Sequence, residues 1–193
     1  DAYYKAGNID AQITTLLKMR DPKLISTERL VELADLMRVA GRYDEAIAAL
    51  NQAIVEDPSK LDWSQRLSLF ELMLHQGQTQ QALDILTGWF DATTPANILI
   101  SFAQTAISYQ EIDTAIGLLQ SRPELETSNQ TWRSALAYAL RLEGRDEEAW
   151  TRMRAWWRER ILPLALAADL IELALRNQDL DLALEVVDQI GFA

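Results

Sequence analysis

The chain contains no cysteine and a single histidine, His75. The first absence removes disulfides, thiolate metal sites and cysteine nucleophiles together. The second leaves no histidine pair for a metal and at most one base for a serine-centred triad. Basic residues are scarce as well: 18 Lys and Arg stand against 29 Asp and Glu, a net charge of −11. That balance argues against a protein that tracks nucleic-acid phosphates and against adsorption to anionic membranes; it favours cationic partners. No apolar run approaches the ~18–20 residues that span a bilayer. The longest, Ile161 to Ala168, stops at Asp169, so no direct membrane insertion is expected. No strand precedes a glycine-rich loop that would cradle a phosphate. Neither catalysis, cofactor nor metal is expected, and function has to be sought on the surface.

What the chain does have is a period. Gly7, Gly41, Gly77 and Gly144 mark one point of a pattern, and the slot that follows each of them holds Gln12, Ala46, Ala82 or Ala149. Ala115 and Ala183 fill the same slot behind turns that carry Gln110 and Gln178 instead of glycine. Successive slots are 34, 36, 33, 34 and 34 residues apart, and all five prolines fall in the closing stretch of a copy. Such a period belongs to a stacked repeat array, not to one closed globule. The copies are a half repeat at 1–22 and repeats at about 27–60, 63–95, 96–128, 130–163 and 164–193, one continuous domain over 1–193. The chain opens within a repeat and closes directly after a helix, so a longer parent polypeptide is expected.

Each copy reads as a helical hairpin. In 27–60, Leu30, Leu33, Ala34, Met37 and Ala40 follow helical spacing, Gly41 breaks the helix, and Tyr43, Ala46, Ile47, Leu50, Ala53 and Ile54 form a second stripe that Asp57-Pro58 ends. The same design predicts eleven helices, with Trp89 on the second stripe of its copy. Trp150, Met153, Trp156 and Trp157 fall on one core stripe, which turns Arg152, Arg154, Arg158 and Arg160 outward as a solvated basic face; the alternative reading of the same stretch is an aromatic-basic contact patch for a partner.

These residues resemble the tetratricopeptide repeat. Leu33-Ala34 stands at the family's Leu-Gly pair, Met37 at its first-helix tyrosine, and Gly41, Tyr43, Ala46, Leu50, Ala53 and Pro58 at its turn glycine, second-helix positions and closing proline. Leu30, Arg66, Leu99 and Arg133 replace its first-helix tryptophan. The resemblance implies an all-α, right-handed α-solenoid of antiparallel helical hairpins whose first helices line a concave groove where protein or peptide partners bind. Glu28, Glu32, Asp35, Arg38, Glu71, Gln104, Tyr138, Arg141, Asp169 and Glu172 are the candidate groove residues. Co-chaperone members clamp a terminal carboxylate with basic and amide groups; the matching places here hold Val31, Asp35, Leu67, Ser68 and Glu71, of which Asp35 and Glu71 would repel an acidic tail.

The leading expectation is a non-catalytic protein-interaction scaffold. A narrower one follows from similarity to the degenerate repeat modules of bacterial outer-membrane exopolysaccharide export proteins. It implies a periplasmic location in preference to the cytoplasm, and recruitment of a polymer-modifying enzyme or guidance of a cationic polysaccharide. End-to-end self-association through unpaired hairpin faces is a third.

Overall fold

A computed structural model describes residues 2–18, 26–91 and 93–191. Among them the fold is all-helical. After α1 (Ala2–Lys18) come five hairpins, each a first and a second helix: α2 (Thr27–Val39) with α3 (Tyr43–Glu56), α4 (Trp63–His75) with α5 (Thr79–Thr87), α6 (Ala96–Ser108) with α7 (Ile112–Gln120), α9 (Gln130–Leu142) with α10 (Asp146–Arg158), and α11 (Ala167–Arg176) with α12 (Leu180–Gly191). Among the described residues the one α-helix beyond the eleven that the repeat predicts is α8 (Leu125–Ser128), a single turn in the link between α7 and α9; single 3-10 turns lie at Pro58–Lys60 and Leu164–Leu166. By its internal contacts the chain forms two compact units, 1–86 and 87–193. The ends of the half repeat, at 1 and 19–22, and of the last repeat, at 192–193, lie outside the described residues.

The hairpin turns share one mechanism. Gly41, Gly77 and Gly144 adopt φ of 75°, 70° and 73°, and Gln110 and Gln178, where glycine is missing, adopt 64° and 59°. In every case the next N–H reaches back into the first helix: Arg42 to Met37, Gln78 to Met73, Glu111 to Ala106, Arg145 to Leu140 and Asp179 to Ala174, at 2.8–2.9 Å. This is the left-handed helix stop that glycine favours, and here the hairpin imposes it on glutamine. Arg160 closes α10 the same way at φ 59°, with Ile161 N–H on the Trp156 carbonyl.

A side chain costs ~1–2 kcal/mol in that conformation, offset in part by the greater unfolded-state freedom of glycine. Gln110→Gly and Gln178→Gly are therefore expected to gain ~0.5–1 kcal/mol each. Gly144→Ala is expected to lose ~1–2 kcal/mol through backbone strain alone, since an added Cβ there meets no atom within 4 Å. Urea melts of the three variants check the signs; a destabilised Gln110→Gly would remove the account.

Two positions depart from the pattern. Gly7 sits in a turn slot of the sequence but lies inside α1, because one internal glycine costs a helix only about 1 kcal/mol. Trp89 is not on a helix, since α5 stops at Thr87 just before Gly88. Its ring instead meets the edge of Phe102, 6.5 Å between centroids, beside Phe90 at 5.1 Å.

Helix starts are set locally. Asp62 accepts from the N–H of Gln65, whose side chain accepts from the N–H of Asp62, a reciprocal cap on α4. Asn129 caps α9 through the N–H of Trp132. The arginines at the family's tryptophan place tie each first helix to the link before it: Arg66 donates to the Pro58 and Leu61 carbonyls, and buried Arg133 to the Glu126 carbonyl at 2.6 Å.

Candidate functional site

The candidate groove residues all lie on first helices. In unit 1, α2 exposes Glu28, Glu32, Asp35 and Arg38 at helical spacing because Leu30, Val31, Leu33, Ala34 and Met37 take the buried side. Val31, which the sequence places in the groove, is therefore part of the core. Glu28 accepts from Lys60 at 3.0 Å. Its own main-chain N–H, the Lys60 ammonium and the Ser26 hydroxyl bring its carboxyl down to about 2. Asp35 and Arg38 pair loosely at 3.8 Å. Glu32 and Leu36 face Asn8, Ala11, Gln12, Thr15 and Leu16 of α1 across a cleft of about 400 Å³. Glu71 is exposed on α4.

In unit 2 the structure brings candidates together more closely. Gln104 of α6 and Tyr138 of α9 line one cleft of about 560 Å³ with Ile107, Ser108, Gln110, Ile112, Ala135 and Leu142. Tyr138 and Leu142, one helical turn apart, are 56% and 48% exposed. The walls are mixed: aliphatic surface from Ile107, Ala135 and Leu142, and hydrogen-bonding groups from Gln104, Ser108 and the Tyr138 hydroxyl.

One turn beyond Tyr138 stands Arg141. It donates to Asp169 at 3.1 Å and Glu172 at 3.0 Å on α11, and meets Asp146 at 3.4 Å. Arg176 joins from the end of α11, to Asp146 at 2.8 Å and to Glu172. The hydrogen bond from Arg141 holds the Glu172 carboxyl below its usual range. The three predicted residues Arg141, Asp169 and Glu172 are thus one ionic hub. Asp146, Arg176, Leu142 and Ser108 are the members that the sequence did not single out. Leu142 had a signal, since it follows Tyr138 at the i+4 spacing; Asp146 and Arg176 come from different hairpins, and only packing joins them.

The Trp/Arg stretch behaves as a core stripe. Trp150, Met153 and Trp156 are buried; Arg152 meets Glu126 at 3.1 Å and Glu148 at 3.3 Å, and the Arg154 guanidinium lies 5.4 Å from the Trp150 ring. Trp157 is half-buried, with its indole N–H on Glu185 at 2.9 Å. His75 packs its ring 4.6 Å from that of Tyr43. Among the described residues no group of three acidic, histidine or cysteine side chains is arranged to hold a metal ion, and no helix is long and apolar enough to cross a membrane.

Comparison with known proteins agrees with this architecture. Residues 37–93 match the family model for the tetratricopeptide repeat. A tetratricopeptide repeat protein from Parabacteroides merdae superimposes with a TM-score of 0.53 at 15% identity, covering 99% of this chain and 75% of that one. YrrB, a tetratricopeptide-repeat protein with an unusual peptide-binding site, gives a TM-score of 0.50 at 15% identity, covering 91% and 89%. No curated protein matches the chain.

Proposed function

We propose that the chain, whose residues 37–93 match the tetratricopeptide-repeat family model, is a non-catalytic interaction scaffold whose first helices receive a protein or peptide partner, centred on the cleft between α6 and α9. The observation that carries this reading is the exposed Tyr138–Leu142 pair at the mouth of that cleft, beside hydrogen-bonding groups and next to the hub at Arg141. An aromatic and an aliphatic side chain left open in a concavity are the features of a binding pocket and of an interface anchor site. Gln104, Ser108 and the Tyr138 hydroxyl would pair with the main chain of an extended or helical segment. Glu28, Glu32, Asp35, Arg38 and Glu71 form the corresponding face of unit 1, where charge would select among partners rather than anchor them.

The narrower reading, a cationic glycan in an export machine, receives less support from this face. Glu28, Asp169 and Glu172 already hold Lys60 and Arg141, so fewer open carboxylates remain for a polycation. Self-association rests on other surfaces.

The test is selection of peptides from a displayed random library on the whole chain, followed by titration. Selected peptides are expected to carry an aliphatic or aromatic residue, and Tyr138→Ala and Leu142→Ala are each expected to weaken them about tenfold, the scale of one lost anchor of ~1.4 kcal/mol. Binders that ignore both substitutions would sink the assignment.

A further inference from the structure

We propose that the cleft between α6 and α9 selects an uncharged, extended segment of its partner, about five residues long; this rests on the reading of that cleft as the partner site and names what it takes. The groove face of each first helix falls at the same four repeat positions. In α2 these hold Glu28, Glu32, Asp35 and Val39, and α11 places Asp169, Glu172 and Arg176 at the last three. In α6 they hold Asn97, Ser101, Gln104 and Ser108, and in α9 Thr131, Ala135, Tyr138 and Leu142. Two first helices that pack against each other thus present this face without a charge, in a chain of which 24% is charged. Among the described α-helices, α6 alone contains no charged residue at all. Packing does not require that. Asn97, Gln104 and Ser108 are exposed and Ser101 is half-buried, while Leu99, Ile100, Phe102, Ala103 and Ala106 take the buried side.

Charge complementarity names the occupant. A charged side chain laid on this wall would lose water and meet no counter-charge, since Arg141 of α9 is already held by Asp146, Asp169 and Glu172. A neutral chain is matched instead. The side-chain amides of Asn97 and Gln104 can both donate and accept. The Ser101 and Ser108 hydroxyls donate to the Asn97 and Thr105 carbonyls at 2.9 and 2.7 Å, which leaves their oxygens as acceptors for incoming main-chain N–H groups. From Asn97 to Ser108 the helix rises about 16 Å, the length of about five residues of extended chain, and the Tyr138–Leu142 pair takes an apolar side chain at the end nearest the hairpin turn. A neutral saccharide would suit the same amides and hydroxyls. It is disfavoured because the apolar lining is aliphatic, with Ile107, Ile112, Ala135 and Leu142 against the single ring of Tyr138: sugars stack on flat rings, whereas aliphatic walls take aliphatic side chains.

The probe is the displayed random peptide library, selected on the whole chain and then on substitutions of the wall. Selected sequences are expected to carry, beside the apolar anchor residue, a run of about five positions depleted of Asp, Glu, Lys and Arg relative to the library. Gln104→Glu and Gln104→Lys are each expected to weaken these peptides about tenfold with the thermal melt unchanged, because the side chain is exposed. A loss for both signs is the signature, since a long-range field would weaken a given peptide for one sign and strengthen it for the other. Reselection is expected to bring Lys or Arg into the segment on the Gln104→Glu protein, and Asp or Glu on the Gln104→Lys protein. Peptides that need Tyr138 and Leu142 yet carry charges throughout the segment, or that tolerate both Gln104 variants, would overturn this inference and leave the anchor reading in place. Peptides that respond to Gln104 but ignore Tyr138→Ala and Leu142→Ala would do the reverse. A library that yields no binder would overturn both, and chitohexaose shifting the Tyr138 resonances where no peptide does would give the wall to a glycan and overturn them as well.

Discussion

Trp132→Ala is expected to remove ~3–5 kcal/mol of stability, the cost of deleting a large buried aromatic and leaving a cavity. Trp132 is among the largest side chains that the core encloses fully. It stands in the first turn of α9, held there by the Asn129 cap on its own N–H, and its indole N–H donates to the Leu119 carbonyl at the end of α7 at 2.9 Å. The ring therefore bridges two consecutive hairpins, α6–α7 and α9–α10, by volume and by a hydrogen bond at once. Trp132→Phe separates the two contributions. It keeps much of the apolar volume and leaves the Leu119 carbonyl with the Arg122 N–H at 3.3 Å as its donor, an expected loss of ~0.5–1.5 kcal/mol. Circular dichroism across a urea series measures both variants without relying on tryptophan fluorescence. An alanine variant that loses no more than the phenylalanine one would show that the ring's volume contributes little.

Replacing Arg141 with methionine is expected to cost ~1–3 kcal/mol, because partly buried carboxylates lose a shared cation. Its side chain is 20% exposed and touches Asp146 at the start of α10 and Asp169 and Glu172 on α11. Methionine retains the aliphatic stem, so the difference reports the charge. The effect carries a pH signature with a definite sign. Glu172 has its carboxyl lowered in the folded state by the hydrogen bond from Arg141. The stabilisation it contributes is complete above the unfolded carboxylate pKa of about 4.3, and it is lost as pH falls through the lowered folded value. The gap between wild type and Arg141→Met is therefore expected to be widest near pH 6–7 and to shrink as pH falls through the lowered Glu172 value. A gap constant from pH 7 to pH 3 would mean that Arg141 acts through packing alone.

The turns were the most legible part of the sequence, because a left-handed backbone residue leaves a mark: glycine at 41, 77 and 144, with the period alone sufficing at Gln110 and Gln178. Arg160 shares that conformation and had no such mark, since it ends a second helix, where the repeat specifies no glycine. Gly7 shows the converse. A glycine at the expected phase does not make a turn unless the residues around it also favour one. The apolar stripes could be read because a 3.6-residue period divides a helix into a wet and a dry side, and the burial of Ala46, Ala115, Ala149 and Ala183 follows it.

The candidate site was legible only by face. Helical phase places Gln104, Tyr138, Arg141, Asp169 and Glu172 on the exposed side of first helices, but phase within one helix is silent about which residues of different helices meet. The cleft that joins Gln104 to Tyr138 depends on how α6 lies against α9, and the hub at Arg141 on how α11 lies against α9. Such relations are set by the summed shape of the core, which no short stretch of sequence encodes.

The arginines that anchor the links carry one more implication. Arg66 and Arg133 hold the connecting stretches by side-chain hydrogen bonds to a few carbonyls, Pro58 and Leu61 for the first and Glu126 for the second, not through a continuous backbone ladder. A connector secured at a few points can lengthen or shorten between them, which accounts for slot spacings that drift from 33 to 36 residues while the hairpins keep their geometry.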